Sequence, residues 1–333
     1  MLPLGLSMLW ETVDPEAALR ERFGFDSLDA VTDWATKALD TTWGIAVAAC
    51  PRMVISDQNA ILWVASDRGD LVVKWSGARE RFGSLDASTR LLRSLADRGI
   101  PVAAPLTAPD GLDRVVLDGP SGELSVTVLP ELSGDWLDVT DRAAVLSAGA
   151  CLAEVHQALG SLGAGDAFEA GPREPAPAPA GGSTAPRSGE LTQTISDWLA
   201  TRDHQLAPEA SRRLRSLLSG APELDDEPQL VHNDFRAANI LTRDSTVVGV
   251  LDLDEVRVEH RVHDLAKASV YLGTRFTAWQ PTSGDVRQAL RAGYESVRPL
   301  SPAEACWFEI LVVWQGLHAI PRGNDPAGWA SAV

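Results

Sequence analysis

Apolar positions recur at helical spacing near the start of the chain. Asp14 stands as a cap before DPEAALRERF with Pro15 in the first turn, and Leu28, Val31, Trp34, Ala35 and Leu39 share one face of a second run, so residues 14 to 40 read as helical. The period then shortens. Residues 44 to 76 hold three β-like runs, GIAVAACPRMVIS, NAILWVAS and DLVVKWS, split by polar turns at 56 to 59 and 66 to 70. Such runs between turn residues predict an antiparallel meander. Residues 85 to 98 return to helical spacing with Gly99 as their C-terminal cap, and RVVLDG and ELSVTVL supply two more strands. The expectation is a five-stranded antiparallel sheet with one helix against it.

After the connector VLPELSGDWL at 128 to 137, the pattern is mainly helical, at 140 to 162, 191 to 219, 264 to 273, 284 to 296 and 302 to 319. Short strands around a polar loop interrupt it at 229 to 256. Residues 163 to 190 are rich in Ala, Pro and Gly; that composition cannot bury a core and predicts a surface loop. The fold class is therefore α+β. Its parts are a helical extension at 1–43, a sheet domain at 44–128, a connector at 129–134 and a helical domain at 135–333. A length of 333 residues agrees, being too long for one small core.

Composition narrows the function. The formal net charge is −17 and no basic run exists, which argues against nucleic acid as a partner. The acidity serves either solubility or attraction of a cationic small molecule. Cys50, Cys151 and Cys306 are scattered among apolar neighbours and form neither a disulfide framework nor a metal motif. The N-terminal stretch lacks the marks of a signal peptide, and no charge-free apolar run reaches the ~18 residues of a membrane span. A cytoplasmic protein with no membrane partner, monomeric or homodimeric, is expected.

The chemistry is concentrated in LVHNDFRAANILTRDSTVVGVLDLD, residues 230 to 254. His232-x-Asp234 precedes Asn239, an apolar strand, a turn at 243 to 245, a second apolar strand and Asp252, all within 21 positions. Phosphoryl transfer from ATP needs an aligned acceptor and a neutralised triphosphate more than covalent help. One carboxylate must take the acceptor's proton, and a side-chain oxygen with a second carboxylate must hold Mg²⁺. Asp234 suits the first role; Asn239 and Asp252 suit the second.

This stretch resembles the aminoglycoside phosphotransferase and choline kinase family, whose usual form is H-G-D-x-x-x-x-N followed by a strand ending in I-D. Asn233 replaces the usual Gly, and Val250-Leu251-Asp252 is the strand end. The resemblance spans roughly residues 45 to 320 and implies a protein-kinase-like two-lobe fold, with 129–134 as the hinge. It implies that Lys74 binds phosphates, that Ser56 and Asn59 lie in the hairpin covering them, and that the backbone near Pro130 and Leu132 holds adenine. Asp264 would brace the catalytic loop, with His232 and His156 as scaffold residues. The expected partners are ATP, Mg²⁺ and a small-molecule hydroxyl acceptor.

One departure concerns the Glu that normally pairs with the Lys: Ser88 falls at its position, with Asp86 the nearest acid. It leaves open an ATP-binding regulatory module without turnover. The absence of D-F-G and A-P-E stretches disfavours a protein kinase. The acceptor could be an aminoglycoside, amino sugar or amino alcohol. The DLDE at 252 to 255 resembles the branch acting on homoserine, hydroxylysine and related amino alcohols. Trp198, Trp279, Trp307, Trp314 and Trp329 form either core or an aromatic acceptor wall, and Asp254, Glu255 and Glu259 are either solvated loop acids or an attraction for a cation.

Overall fold

A computed structural model describes residues 3–162, 188–201, 207–277, 279–322 and 324–333. They fall into two compact units, divided between Ser133 and Gly134. The expected loop at 163–190 lies, up to residue 187, outside the described residues.

The first unit comprises β1 (Gly5–Met8), α1 (Pro15–Phe23), α2 (Leu28–Trp43), β2 (Val47–Ser56), β3 (Asn59–Ser66), β4 (Gly69–Ser76), α3 (Phe82–Ala96), β5 (Val115–Gly119) and β6 (Gly122–Pro130). The Asp14 cap forms where the sequence puts it, accepting the Ala17 amide at 2.8 Å, and Ser27 caps the next helix by accepting the Ala30 amide at 3.2 Å. Gly24 ends α1 at φ +76°, and a Cβ there would meet Ser121 Oγ at 2.1 Å, so only glycine fits.

The expectation of five strands is corrected to six, in the order β1-β2-β3-β4-β6-β5. The added strand, β1, runs parallel to β2 and pairs Gly5–Met8 with Arg52–Ile55. Four residues are too few to show a period. Pro51, which has no N–H to give, falls just outside this paired stretch, where β2 also slips register against β3 on both sides of Ala49.

The faces of the sheet differ because alternate residues point opposite ways. Ala60, Leu62, Val73, Trp75 and Val126 enter one apolar core together with Leu19, Phe23, Phe25, Val31 and Leu39 of the N-terminal segment. Trp75 meets Phe23 and Trp34 edge-on, with ring centroids 6.0 and 5.6 Å apart. The first 43 residues thus supply seven of the twenty buried side chains of this core. Asn59, Lys74, Ser76, Ser125 and Thr127 lie on the opposite, more polar face. Buried Arg114 ties α3 to that face, reaching Thr89 Oγ1 at 2.9 Å and Ser125 Oγ at 3.2 Å.

The second unit contains β7 (Asp135–Trp136), α4 (Arg142–Gly160), α5 (Ser188–Thr201), α6 (Pro208–Leu218), β8 (Gln229–Val231), β9 (Ile240–Arg243), β10 (Thr246–Val250), β11 (Arg257–Glu259), α7 (Arg261–Tyr271), α8 (Gly284–Val297), α9 (Pro302–Ala319) and α10 (Trp329–Ala332). Helices α4 and α8 cross in close contact. A Cβ at Gly149 would lie 2.0 Å from the Leu290 carbonyl, and one at Gly293 would lie 2.0 Å from the Leu146 carbonyl. Ser301 and Glu304 form a capping box at the start of α9. Trp307, Trp314 and Trp329 are buried as core, whereas Trp279 is 52% exposed. Among the described residues, no helix is long and apolar enough to cross a membrane.

Candidate active site

The second unit assembles Asp234, Asn239 and Asp252 from one continuous stretch. β8 ends at Val231, the chain loops through His232 to Arg236, and a single 3₁₀ turn at Ala237–Asn239 leads into β9. Asp244 (φ +49°) and Ser245 (φ +60°) make a two-residue turn with both residues left-handed, the geometry that matches strand twist. β10 then returns to Leu251, whose amide donates to the Asn239 carbonyl at 2.8 Å. Asp252, the next residue, is itself left-handed at φ +63°, ψ +70°. A non-glycine residue in this region persists only where its surroundings hold it.

The loop is braced from beneath. Buried Asp264 on α7 accepts the backbone N–H of His232 at 3.1 Å and of Asn233 at 3.0 Å. It also meets His156 Nε2 at 2.9 Å, while His156 Nδ1 lies 2.9 Å from the Tyr294 hydroxyl. The arrangement needs a neutral imidazole protonated on Nε2, with Nδ1 accepting from Tyr294. Burial lowers the pKa of His156, against the pull of Asp264, and so favours that neutral form. For Asp264, burial acts to raise the pKa, but the hydrogen bonds from His156 and the Asn233 amide help to outweigh it, and the carboxyl is held down at about 2. One carboxylate therefore joins α4, α7, α8 and the loop.

Asn233 is left-handed at φ +64°, so the loop needs the freedom that the related motif obtains from Gly. Asn is among the L-residues that tolerate this region best. Its side chain also fastens the loop: Nδ2 donates to the Glu255 carbonyl at 3.2 Å, and Oδ1 accepts from Lys267 Nζ at 3.0 Å. Lys267 donates to the Asn233 carbonyl at 2.6 Å as well.

Around Asp234, the Asn239 Nδ2 donates to its carbonyl at 2.9 Å and to Oδ2 at 2.8 Å. Arg236 Nε lies 2.9 and 3.1 Å from the two carboxylate oxygens. The same guanidinium donates to the Arg275 carbonyl at 3.2 Å and stands 5.8 Å over the Trp279 ring. Asp234, Arg236 and Trp279 line a cleft of about 270 Å³ that also includes Lys267, Tyr271, Gln315 and His318. Glu259 does not belong among solvated acids: it is buried, 2.9 Å from His263 Nδ1.

The donor set fits Mg²⁺. With Asn239 Nδ2 on Asp234, its Oδ1 is the atom left to ligate, and Asp252 follows the backbone link to Asn239 directly. Among the described residues, no group of three or more His, Cys, Asp or Glu forms a cage. Mg²⁺ that arrives with a nucleotide asks for no such cage, only one or two protein ligands beside phosphate and water.

The nucleotide residues expected from the sequence sit in the first unit. Ser56 and Asn59 pair across the β2–β3 turn, and Lys74 lies in β4 on the same face as Asn59. Pro130 ends β6 opposite Leu71, and Leu132 lies two residues beyond it. Ser88 is buried in α3, and Asp86 forms an ion pair with Arg90 one turn along that helix.

A family model described as the phosphotransferase enzyme family matches residues 56–301. The chain belongs to that family. A homoserine kinase from Gluconacetobacter diazotrophicus is 27% identical over 281 residues, covering 82% of this chain and 80% of the relative. Among solved structures, a macrolide 2'-phosphotransferase from Brachybacterium faecium aligns with a TM-score of 0.58 at 16% identity, covering 85% of this chain and 88% of its own. A microcompartment-associated aminopropanol kinase aligns at 0.56 and 18%, covering 90% and 92%. The fold is thus the protein-kinase-like one these enzymes share, and the chain is a small-molecule phosphotransferase.

Two residues of the cleft were not singled out from the sequence. Arg236 lies inside the motif, two positions past Asp234, and Lys267 lies one helical turn past Asp264. The second signal was available, because residues three apart on a helix share a face.

Proposed function

We propose that the chain transfers the γ-phosphate of ATP to a hydroxyl group of a small amino compound, with Asp234 as the base. The observation that carries this reading is the placing of Asp234 in the cleft with Asn239 bonded to it. The acceptor O–H gives its proton to the Asp234 carboxylate as its oxygen bonds to the γ-phosphorus, and the bridging oxygen leaves with ADP. Asn239 and Asp252 hold Mg²⁺, which when bound neutralises charge on the phosphates. Lys74 grips phosphate, with Ser56 and Asn59 in the hairpin over it, and the backbone at Pro130 and Leu132 takes adenine.

Two facts support a small acceptor: the homoserine kinase relative and a cleft of about 270 Å³. Amino alcohols and hydroxylated amino acids fit that volume better than aminoglycosides. A coupled ADP-release assay with Mg·ATP tests the proposal, using homoserine, hydroxylysine, choline, amino sugars, aminoglycosides and macrolides as acceptors. Acceptor-dependent ADP release from homoserine or another small member of the panel is expected. Release with none of them refutes the proposal. The buried Ser88 at the usual Glu position favours a second reading, a nucleotide-binding module without turnover, which predicts ATP binding and no ADP release.

A further inference from the structure

The protein as a whole is strongly acidic, at −17. The cleft beside Asp234 has the opposite character. Its charged side chains are Asp234, Arg236 and Lys267, and Arg236 already faces both oxygens of Asp234. That leaves Lys267 in excess.

The surroundings of Lys267 show what it lacks. An ammonium has three donors. Two of them go to Asn233, at 2.6 and 3.0 Å, and both acceptors are neutral oxygens. The third has no partner among the described residues. Burial, together with the charge of Arg257, weakens the charged form of this lysine more than the carboxylates of Asp264, Asp234 and Glu255 restore it. Asp264 is committed to His156 and two loop amides, and Asp234 to Arg236 and Asn239. A desolvated cation with an open donor, on a residue that lines a small cleft, gains most from an incoming anion.

We propose that the acceptor carries a carboxylate, and that Lys267 selects for it inside the cleft while Trp279 and Tyr271 flank the carbon skeleton. This rests on the transferase reading above and narrows it from amino compounds in general to hydroxylated amino acids. Lys267 is then a specificity residue as well as a fastening of the loop.

The test compares matched acceptors. Homoserine and aminopropanol differ only by the carboxylate, as do serine and ethanolamine. The wild-type kcat/KM should favour the carboxylated member of a pair by about tenfold or more, the size of one charge-assisted hydrogen bond. In Lys267→Met the ratio should collapse toward one, and in Lys267→Arg it should recover. A residue that merely supports the loop would lower both acceptors together and keep the ratio. A lysine that serves ATP would raise the KM for ATP and also keep the ratio. Either result overturns the inference. Equal use of the paired acceptors by the wild type overturns it too, while leaving the transferase reading in place. ADP release with none of the four acceptors, but with an acceptor of the wider panel that lacks a carboxylate, overturns the inference alone; release with no acceptor at all, despite ATP binding, overturns both.

Discussion

Replacing Asp264 with Asn removes one negative charge and one acceptor oxygen from the point where the loop is fastened. The carboxylate takes three hydrogen bonds, at 2.9 Å from His156 and at 3.1 and 3.0 Å from the amides of His232 and Asn233. A carboxamide has a single oxygen. If it replaces Oδ2, its NH₂ group faces the Asn233 N–H; if it replaces Oδ1, its NH₂ group faces the His232 N–H. Either way one buried amide loses its acceptor, at about 1–3 kcal/mol, and the remaining bonds lose their charge assistance, at about 1 kcal/mol each. Relief of a buried charge returns part of this. A net loss of roughly 2–3 kcal/mol follows, equivalent to about a hundredfold in a local opening equilibrium. Hydrogen exchange of a peptide spanning residues 229 to 236 reads it directly. Exchange should accelerate by that factor while amides within α4 stay protected, and kcat should fall with it. Exchange within twofold of the wild type would refute the bracing role.

Three further outcomes follow from the same geometry. Gly149→Ala puts a Cβ 2.0 Å from the Leu290 carbonyl, so α4 and α8 must part; a loss of about 3 kcal/mol, or roughly 6–12 °C in Tm, is expected by calorimetry. Asn233→Gly and Asn233→Val remove the same carboxamide, but only valine is strained at φ +64°, so Val should lose about tenfold more activity than Gly in the ADP-release assay. Acid should destabilise the fold in two steps, because groups with lowered pKa hold fewer protons folded than unfolded. Tm should begin to fall below about pH 6.5, the ordinary value of His156, and fall again between about pH 4 and 2 as unfolded Asp264 and Glu259 take up protons. In His156→Gln the first step should be missing.

Much of this was legible in the sequence because local rules and packing agree. Alternation and turn residues marked β2 to β6, and the cap at Asp14 formed where it stood before Pro15 and the helical run. The nearness of Asp234 to Asn239, and the return of the chain to Asn239 at Leu251, follow from a loop and a hairpin within a short stretch. What stayed hidden depends on long-range pairing. β1 has only four residues and is defined by its partner in β2, so no period reveals it. Glu259 looks like a loop acid until His263 is found beside it in the interior. Lys267 takes its importance from Asn233, which it touches from a distant helix, whereas Arg236 lies beside Asp234 in sequence and only the structure shows it turning back onto that carboxylate.

The central claim is that Asp234 performs phosphoryl transfer and does not merely shape a nucleotide site. Single-turnover transfer from γ-labelled Mg·ATP to homoserine, measured beside ATP affinity in the wild type and Asp234→Asn, tests it most directly. The account predicts labelled acceptor from the wild type, transfer slowed by at least ~10²-fold in the variant, and ATP affinity changed by no more than about threefold. Transfer at the wild-type rate in Asp234→Asn would contradict it.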